Sequence, residues 1–171
     1  MLHILSFALL PILLTIAATS DAMTYRIPNW LTLLTAALFF PMALATGLPL
    51  ALYAWHLLAA LLIFALGYTL FAFNLMGAGD VKLMTATGLW FGITNLMSFI
   101  QVTAYAGLIQ ICFMLVWSFV MLNAELSGSD TRLAGFWARL KPMTPNVPFG
   151  FAIALGGIVA FRDTWWLHGL Q

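Results

Sequence analysis

LALYAWHLLAALLIFALGYTLFAF, residues 50–73, runs for 24 positions without an acid, a lysine or an arginine. A transmembrane helix needs roughly 20 mostly apolar residues to cross about 30 Å of hydrocarbon, and this stretch meets that length. Helix-breaking residues bound it, Gly47-Leu48-Pro49 before and Gly77-Ala78-Gly79 after. Working outward, further apolar segments run from Leu2 to Thr19, Trp30 to Thr46, Val81 to Ile93, Leu96 to Leu122 and Val147 to Phe161. Pro28-Asn29, Thr94-Asn95 and the stretch Pro142 to Pro148 are read as the remaining breaks. The expected fold is all-α: a polytopic integral membrane bundle of about six transmembrane helices, forming a single domain over residues 1–171.

Composition agrees with that reading. Of the 171 residues 64% are hydrophobic and 6% charged, with a mean hydropathy of +1.05. Soluble domains carry about 25% charged residues, so the expected solvent and principal partner is the lipid bilayer. Six basic residues and a net charge of +1 cannot build a phosphate-tracking surface, which excludes nucleic acid as a partner. Cys112 is the single cysteine; it permits no internal disulfide and no CxxC zinc site, and is read as a packing residue. The first apolar run resembles a signal peptide, with Ser20-Asp21-Ala22 as a loose cleavage site. It lacks a leading positive charge, and Arg26 follows it, so a retained helix is expected.

Basic residues set the expected orientation. With six spans, one set of loops holds Arg26, Lys82, Arg132, Arg139 and Lys141, and the other holds Arg162. The richer side is expected to be cytoplasmic, with both termini outside and Asp21 and Asp80 at the cytoplasmic face. In the long connection Asn123 to Asn146, Ser129 or Asp130 is a candidate cap. Leu133, Phe136, Trp137 and Leu140 recur there at helical spacing between Arg132 and Arg139. That pattern predicts a helix lying on the membrane surface, in preference to a substrate gate.

Chemistry is narrowed by what is missing. There is no HExxH and no GxSG, and His3, His56 and His168 fall toward the outer half of the membrane. A Ser20–Lys82 dyad is conceivable at the inner face but has little else to support it. Glu125, Asp130 and Asp163 read as solvated or paired surface acids. Asp21 and Asp80 differ, because each abuts an apolar helix. The segment that Asp80 opens has about 13 apolar residues, near 20 Å of helix, which draws Asp80 inside the membrane boundary. An ionised carboxylate there costs roughly 2.5–3.5 kcal/mol on insertion scales. Gly77 and Gly79 beside it are read as permitting positive φ and close backbone approach.

Plainer readings exist. Asp80 could be the N-cap of its helix, and Asp21 could pair with Arg26 or Lys82. Against these stands the topology, which brings two distant acids to one membrane face. Two adjacent carboxylates share one proton, so the charged member can act as general base on a water while the protonated member polarises a carbonyl. Such a pair titrates as a unit, and neither aspartate is given a fixed role. No metal and no cofactor is expected.

The motifs Asp21-Ala22-Met23-Thr24-Tyr25-Arg26-Ile27-Pro28-Asn29 and Gly77-Ala78-Gly79-Asp80-Val81-Lys82 resemble the two active-site signatures of the type IV prepilin peptidases, membrane aspartic endopeptidases of the GxGD type. Pro148-Phe149-Gly150-Phe151-Ala152-Ile153-Ala154 is similar to their late Pro-(Tyr)-Gly segment. The resemblance implies that Asp21 and Asp80 are the catalytic pair and that the substrate is a prepilin, a basic leader followed by a hydrophobic segment. Cleavage would fall at the cytoplasmic face of the inner membrane. Lacking two CxxC pairs, the chain looks like the short peptidase-only form associated with tight-adherence (Flp-type) pili, a single peptidase domain without a zinc or methyltransferase domain. An archaeal preflagellin peptidase is a related possibility. Lys82 is either a snorkelling anchor or a neighbour that tunes the pair. Asn29 is read as a cap of the second helix rather than a cross-site bond, and Pro28 as the residue that fixes that helix's start. Pro148 and Gly150 are candidates for substrate contact or packing. The rival reading is a non-enzymatic membrane component, a transporter subunit or pilus-assembly scaffold, with the aspartates as a proton relay or packing pair.

Overall fold

The computed structural model describes residues 2–126, 149–164 and 166. The chain forms α1 (Leu2–Thr24), α2 (Asn29–Ala45), α3 (Leu50–Ala72), α4 (Ala78–Leu126) and α5 (Phe149–Ala160), then a 3₁₀ turn, Phe161–Asp163. The described residues are helical or connecting and include no strand. The surface helix expected within 123–146 lies, past Leu126, outside the described residues, as does Pro148.

Each connection is closed by backbone chemistry that its residues favour. α1 stops where Tyr25 turns left-handed at φ 52°, and the Ser20 and Thr24 hydroxyls donate to the Arg26 carbonyl at 3.0 and 3.2 Å. Pro28, extended at φ −62° and ψ 135°, immediately precedes α2. Gly47 at φ 76° ends that helix, with Leu48 N–H donating to Ala43 O at 2.9 Å, the 6→1 bond of a Schellman cap. Asn74 at φ 58° closes α3 in the same way, through Leu75 N–H to Leu70 O at 2.9 Å.

The fourth and fifth apolar segments form one element, α4, bent at Gly92. The expected break at Thr94-Asn95 therefore moves two residues upstream. Gly92 has φ 63° and ψ −178°, a conformation essentially confined to glycine, whereas Thr94 and Asn95 stay helical. In a regular helix the carbonyls of Leu89 and Trp90 would bond to residues 93 and 94. Across the bend, side chains from elsewhere meet them. His56 Nδ1 lies 2.7 Å from Leu89 O, and Trp166 Nε1–H donates to Trp90 O at 2.8 Å. Trp90 Nε1–H donates in turn to Thr35 O at 2.9 Å, tying α2 to the same point.

α4 is the central element, with α3, α5 and α2 packed around it, and α1 lies against α5 and α2. Small residues bring the helices close: Gly67 faces Val81, Gly88 faces Ile63, and Gly156 lies against Thr103. Close approach of this kind replaces the hydrophobic drive that lipid does not supply between helices. Leu50–Ala72 and Ala78–Val120 are each long and apolar enough to cross a membrane, with 22% of the most apolar window buried. A soluble core helix would bury most of that window. Instead Leu33, Leu44, Ile109 and Phe113 are each 65–74% exposed, an apolar surface suited to hydrocarbon.

Candidate active site

The sequence places α1's last turns, the Tyr25–Pro28 link and the start of α4 at one end of the bundle. Ile27, nearly buried, sits over Gly79; a Cβ there would lie 3.4 Å from Ile27 Cβ. Gly77 and Gly79 thus give room, as expected, but neither adopts positive φ, which among described glycines occurs at Gly47 and Gly92. The first turn of α4 is ordinary helix, and the missing side chains leave space for Ile27 and for the Asp80 carboxylate, 3.0 Å from a Cβ at Gly77.

Asp21 and Asp80 are 5% and 6% exposed, whereas Arg26, Lys82 and Arg162 are on the surface. α1 continues past Asp21 to Thr24, so the acid occupies the helix's last turns rather than following it. Its Oδ2 accepts the Gly150 N–H at 2.8 Å, a bond spanning 129 residues that ties α1 to the first turn of α5. Gly150 has no alternative side chain: a Cβ would fall 2.7 Å from Asp21 Oδ2 and 3.0 Å from Cγ. Gly150 was legible as a packing or substrate-contact candidate, but not as a donor to Asp21.

Asp80 stands at the third position of α4, and its Oδ2 accepts Gly77 N–H at 3.3 Å. That is the reach-back half of a capping box, so the capping reading accounts for one oxygen. The other, Oδ1, is buried without a hydrogen-bond partner among the described residues. A buried acceptor is costly to leave unpaired, so this oxygen has hydrogen-bonding capacity that the described protein groups do not use. Asp80 also lies within range of the Asp21 charge.

The ion-pair readings of Asp21 are not what forms. Lys82 Nζ donates to Asn29 Oδ1 at 2.9 Å, both residues being exposed, and Arg26 is exposed. Asn29 therefore bonds across to α4 instead of capping α2, whose N-cap residue is Pro28 with no side-chain cap bond. The reason is geometric: Asn29 is already the first helical residue, so its side chain points out toward Lys82. The Ser20–Lys82 dyad does not assemble either, since Ser20 Oγ donates to Arg26 O. His56 is held at the Gly92 bend, twelve residues along α4 from Asp80, and takes no part in this site.

Two buried carboxylates, each anchored through one oxygen by a backbone amide, are the kind of groups that general acid–base chemistry on a water requires. The chain matches the type IV leader peptidase family over residues 8–118. Neither a curated protein nor a solved structure matches it. The family match takes in both aspartates and the whole of Gly77 to Lys82, and stops before Gly150. Covering about two-thirds of the 171 residues, it shows that this chain belongs to the type IV leader peptidase family.

Proposed function

We propose that the protein is a membrane-embedded aspartic endopeptidase that removes the leader from type IV-type prepilins, with Asp21 and Asp80 as its catalytic pair. The family is one of peptidases, and leader cleavage is its type of activity. The observation that carries the residue assignment is the open Oδ1 of Asp80, buried within range of the Asp21 charge, while the other oxygen of Asp80 and Oδ2 of Asp21 are fixed by amides.

In this reading the two carboxyls share one proton. The ionised member takes a proton from the bound water, whose oxygen attacks the scissile carbonyl. The protonated member donates to the developing oxyanion, and collapse of the tetrahedral intermediate returns a proton to the leaving amine. Peptide and water are consumed, and a leader carboxylate and a new amino terminus are formed. Backbone amides, Gly150 N–H on Asp21 and Gly77 N–H on Asp80, hold one oxygen of each carboxyl in place.

The same reading has six spans, α4 contributing one on each side of Gly92, and the site facing the cytoplasm. Its support is the exposed Arg26 and Lys82 at the aspartate end, with exposed Arg162 beyond the far end of α5. Co-expression with a prepilin tests the assignment: Asp21→Asn and Asp80→Asn each abolish the mobility shift of processing while the protein accumulates in the membrane. Processing retained by either variant sinks the pair.

A further inference from the structure

α2 and α3 leave their short turn in contact and then part. Near the turn the Phe39 ring lies 5.1 Å from that of His56 and 6.1 Å from that of Tyr53. Toward the aspartate end they are separated by a cavity of about 610 Å³ floored by α4. Its walls are one stripe from each helix at spacings of three and four: Leu33, Ala36 and Phe40 on α2, and Leu57, Ala60 and Phe64 on α3. Leu33 is 71% exposed and Leu57 51%, so the groove is open along its side. The lining is apolar apart from Thr32 and Thr85, whose hydroxyls are spent on the carbonyls of Asn29 and Val81, and the mouth, where Lys82 and Asn29 meet.

We infer that this groove binds one anionic phospholipid from the leaflet on the aspartate side, its phosphate on Lys82 and an acyl chain along the α2 and α3 stripes. Charge supports this occupant. Lys82 is bonded to a neutral amide, which leaves its charge uncancelled, and none of the described lining residues is acidic. Asn29 gives its oxygen to Lys82 and keeps its NH₂ as a second donor toward a phosphate. Basic positions between helices at the cytoplasmic side suit anionic headgroups.

Length supports it too. From Asn29 to Phe40 the groove follows about 16 Å of helix, half of the roughly 30 Å hydrocarbon core and so the depth of one leaflet. The Phe39, Tyr53 and His56 rings close it there. A spanning peptide helix would need the full thickness. Lys82 also follows Asp80 by two residues, about 200° around α4, so the groove opens on the face turned away from the carboxylates.

Native mass spectrometry on the full chain, delipidated in detergent and titrated with phosphatidylglycerol or phosphatidylcholine of matched chains, tests the site. The expected result is one phosphatidylglycerol bound about fivefold tighter than phosphatidylcholine, the preference one basic contact supplies. Lys82→Met removes that preference and Lys82→Arg keeps it, while Ala60→Trp, which fills the groove, weakens both lipids. Equal binding of the two lipids, a preference that survives Lys82→Met, or indifference to Ala60→Trp overturns the proposal. So does a photo-crosslinker at Leu33 that captures an added prepilin's apolar segment in place of lipid. Binding is the readout throughout, so the outcome is independent of whether the aspartates cleave peptide.

Discussion

Gly150→Ala is the sharpest probe of how the bundle positions Asp21. The new Cβ would meet Oδ2 at 2.7 Å, the Asp21 Cβ at 2.9 Å and Cγ at 3.0 Å, where ordinary contact begins near 3.4 Å. Relief requires the carboxylate and the α5 backbone to separate by roughly 0.5–1 Å, the size of shift that costs about 100-fold in rate at a preorganised centre. It also stretches the 2.8 Å bond from Gly150 N–H. Overpacking of this kind typically removes ~1–3 kcal/mol of stability, so a matched control is needed. Gly157→Ala supplies one on the same helix, about 10 Å further along, where a Cβ would meet Leu14 Cδ1 at 2.5 Å. Prepilin cleavage by reconstituted protein is the assay, with thermal unfolding measured in parallel. Gly150→Ala is expected to lose about 100-fold in kcat with little change in KM. Gly157→Ala is expected to melt lower by a comparable amount yet cleave within a few-fold of the parent. Gly150→Ala cleaving within threefold of the parent would refute the positioning argument, as would equal kcat losses in the two variants.

Three further outcomes are expected. Gly92→Ala forces an L side chain into a glycine conformation and sets its Cβ 2.9 Å from the His56 ring, so denaturant unfolding should show at least ~1–3 kcal/mol of lost stability; an unchanged midpoint would contradict the bend. His56→Phe leaves the Leu89 carbonyl without its 2.7 Å partner and is expected to cost ~1–3 kcal/mol while kcat stays within a few-fold; a large selective loss of kcat would give His56 a role in catalysis. Among the described residues no three His, Cys, Asp or Glu side chains cluster, and cleavage is expected to survive a strong chelator. Activity lost to the chelator and restored by an added divalent metal would replace the water-activating pair with a metal centre.

Much of this architecture was written in local patterns. Gly47 and Pro28 mark helix ends because a left-handed glycine and an extended proline suit those positions, Gly77 lies just before α4, and the uncharged runs between the breaks are helices. The pair Asp21 and Asp80 stood out because carboxylates beside long apolar runs are expensive to keep. What stayed hidden depends on contacts between distant segments. Gly92 lies in the apolar sequence Leu89-Trp90-Phe91-Gly92-Ile93, where glycine is tolerated in a helix, and nothing local says that His56 and Trp166 will take the carbonyls of a bend. The Gly150 amide reaches Asp21 across 129 residues, a relation that no periodicity encodes. Asn29 was misjudged because a helix-start asparagine ordinarily caps, whereas Pro28 already occupies the cap position and Lys82 offers a charged partner.

The central claim, two aspartates activating one water, is tested most directly by a single turnover of purified protein on a prepilin in ¹⁸O-water, run for the parent, Asp21→Asn and Asp80→Asn. Mass spectrometry of the parent reaction should find one ¹⁸O in the leader's new carboxylate and none in either aspartate, and neither variant should give product. Product from either variant, or an unlabelled leader with ¹⁸O left on Asp21 or Asp80, would contradict it.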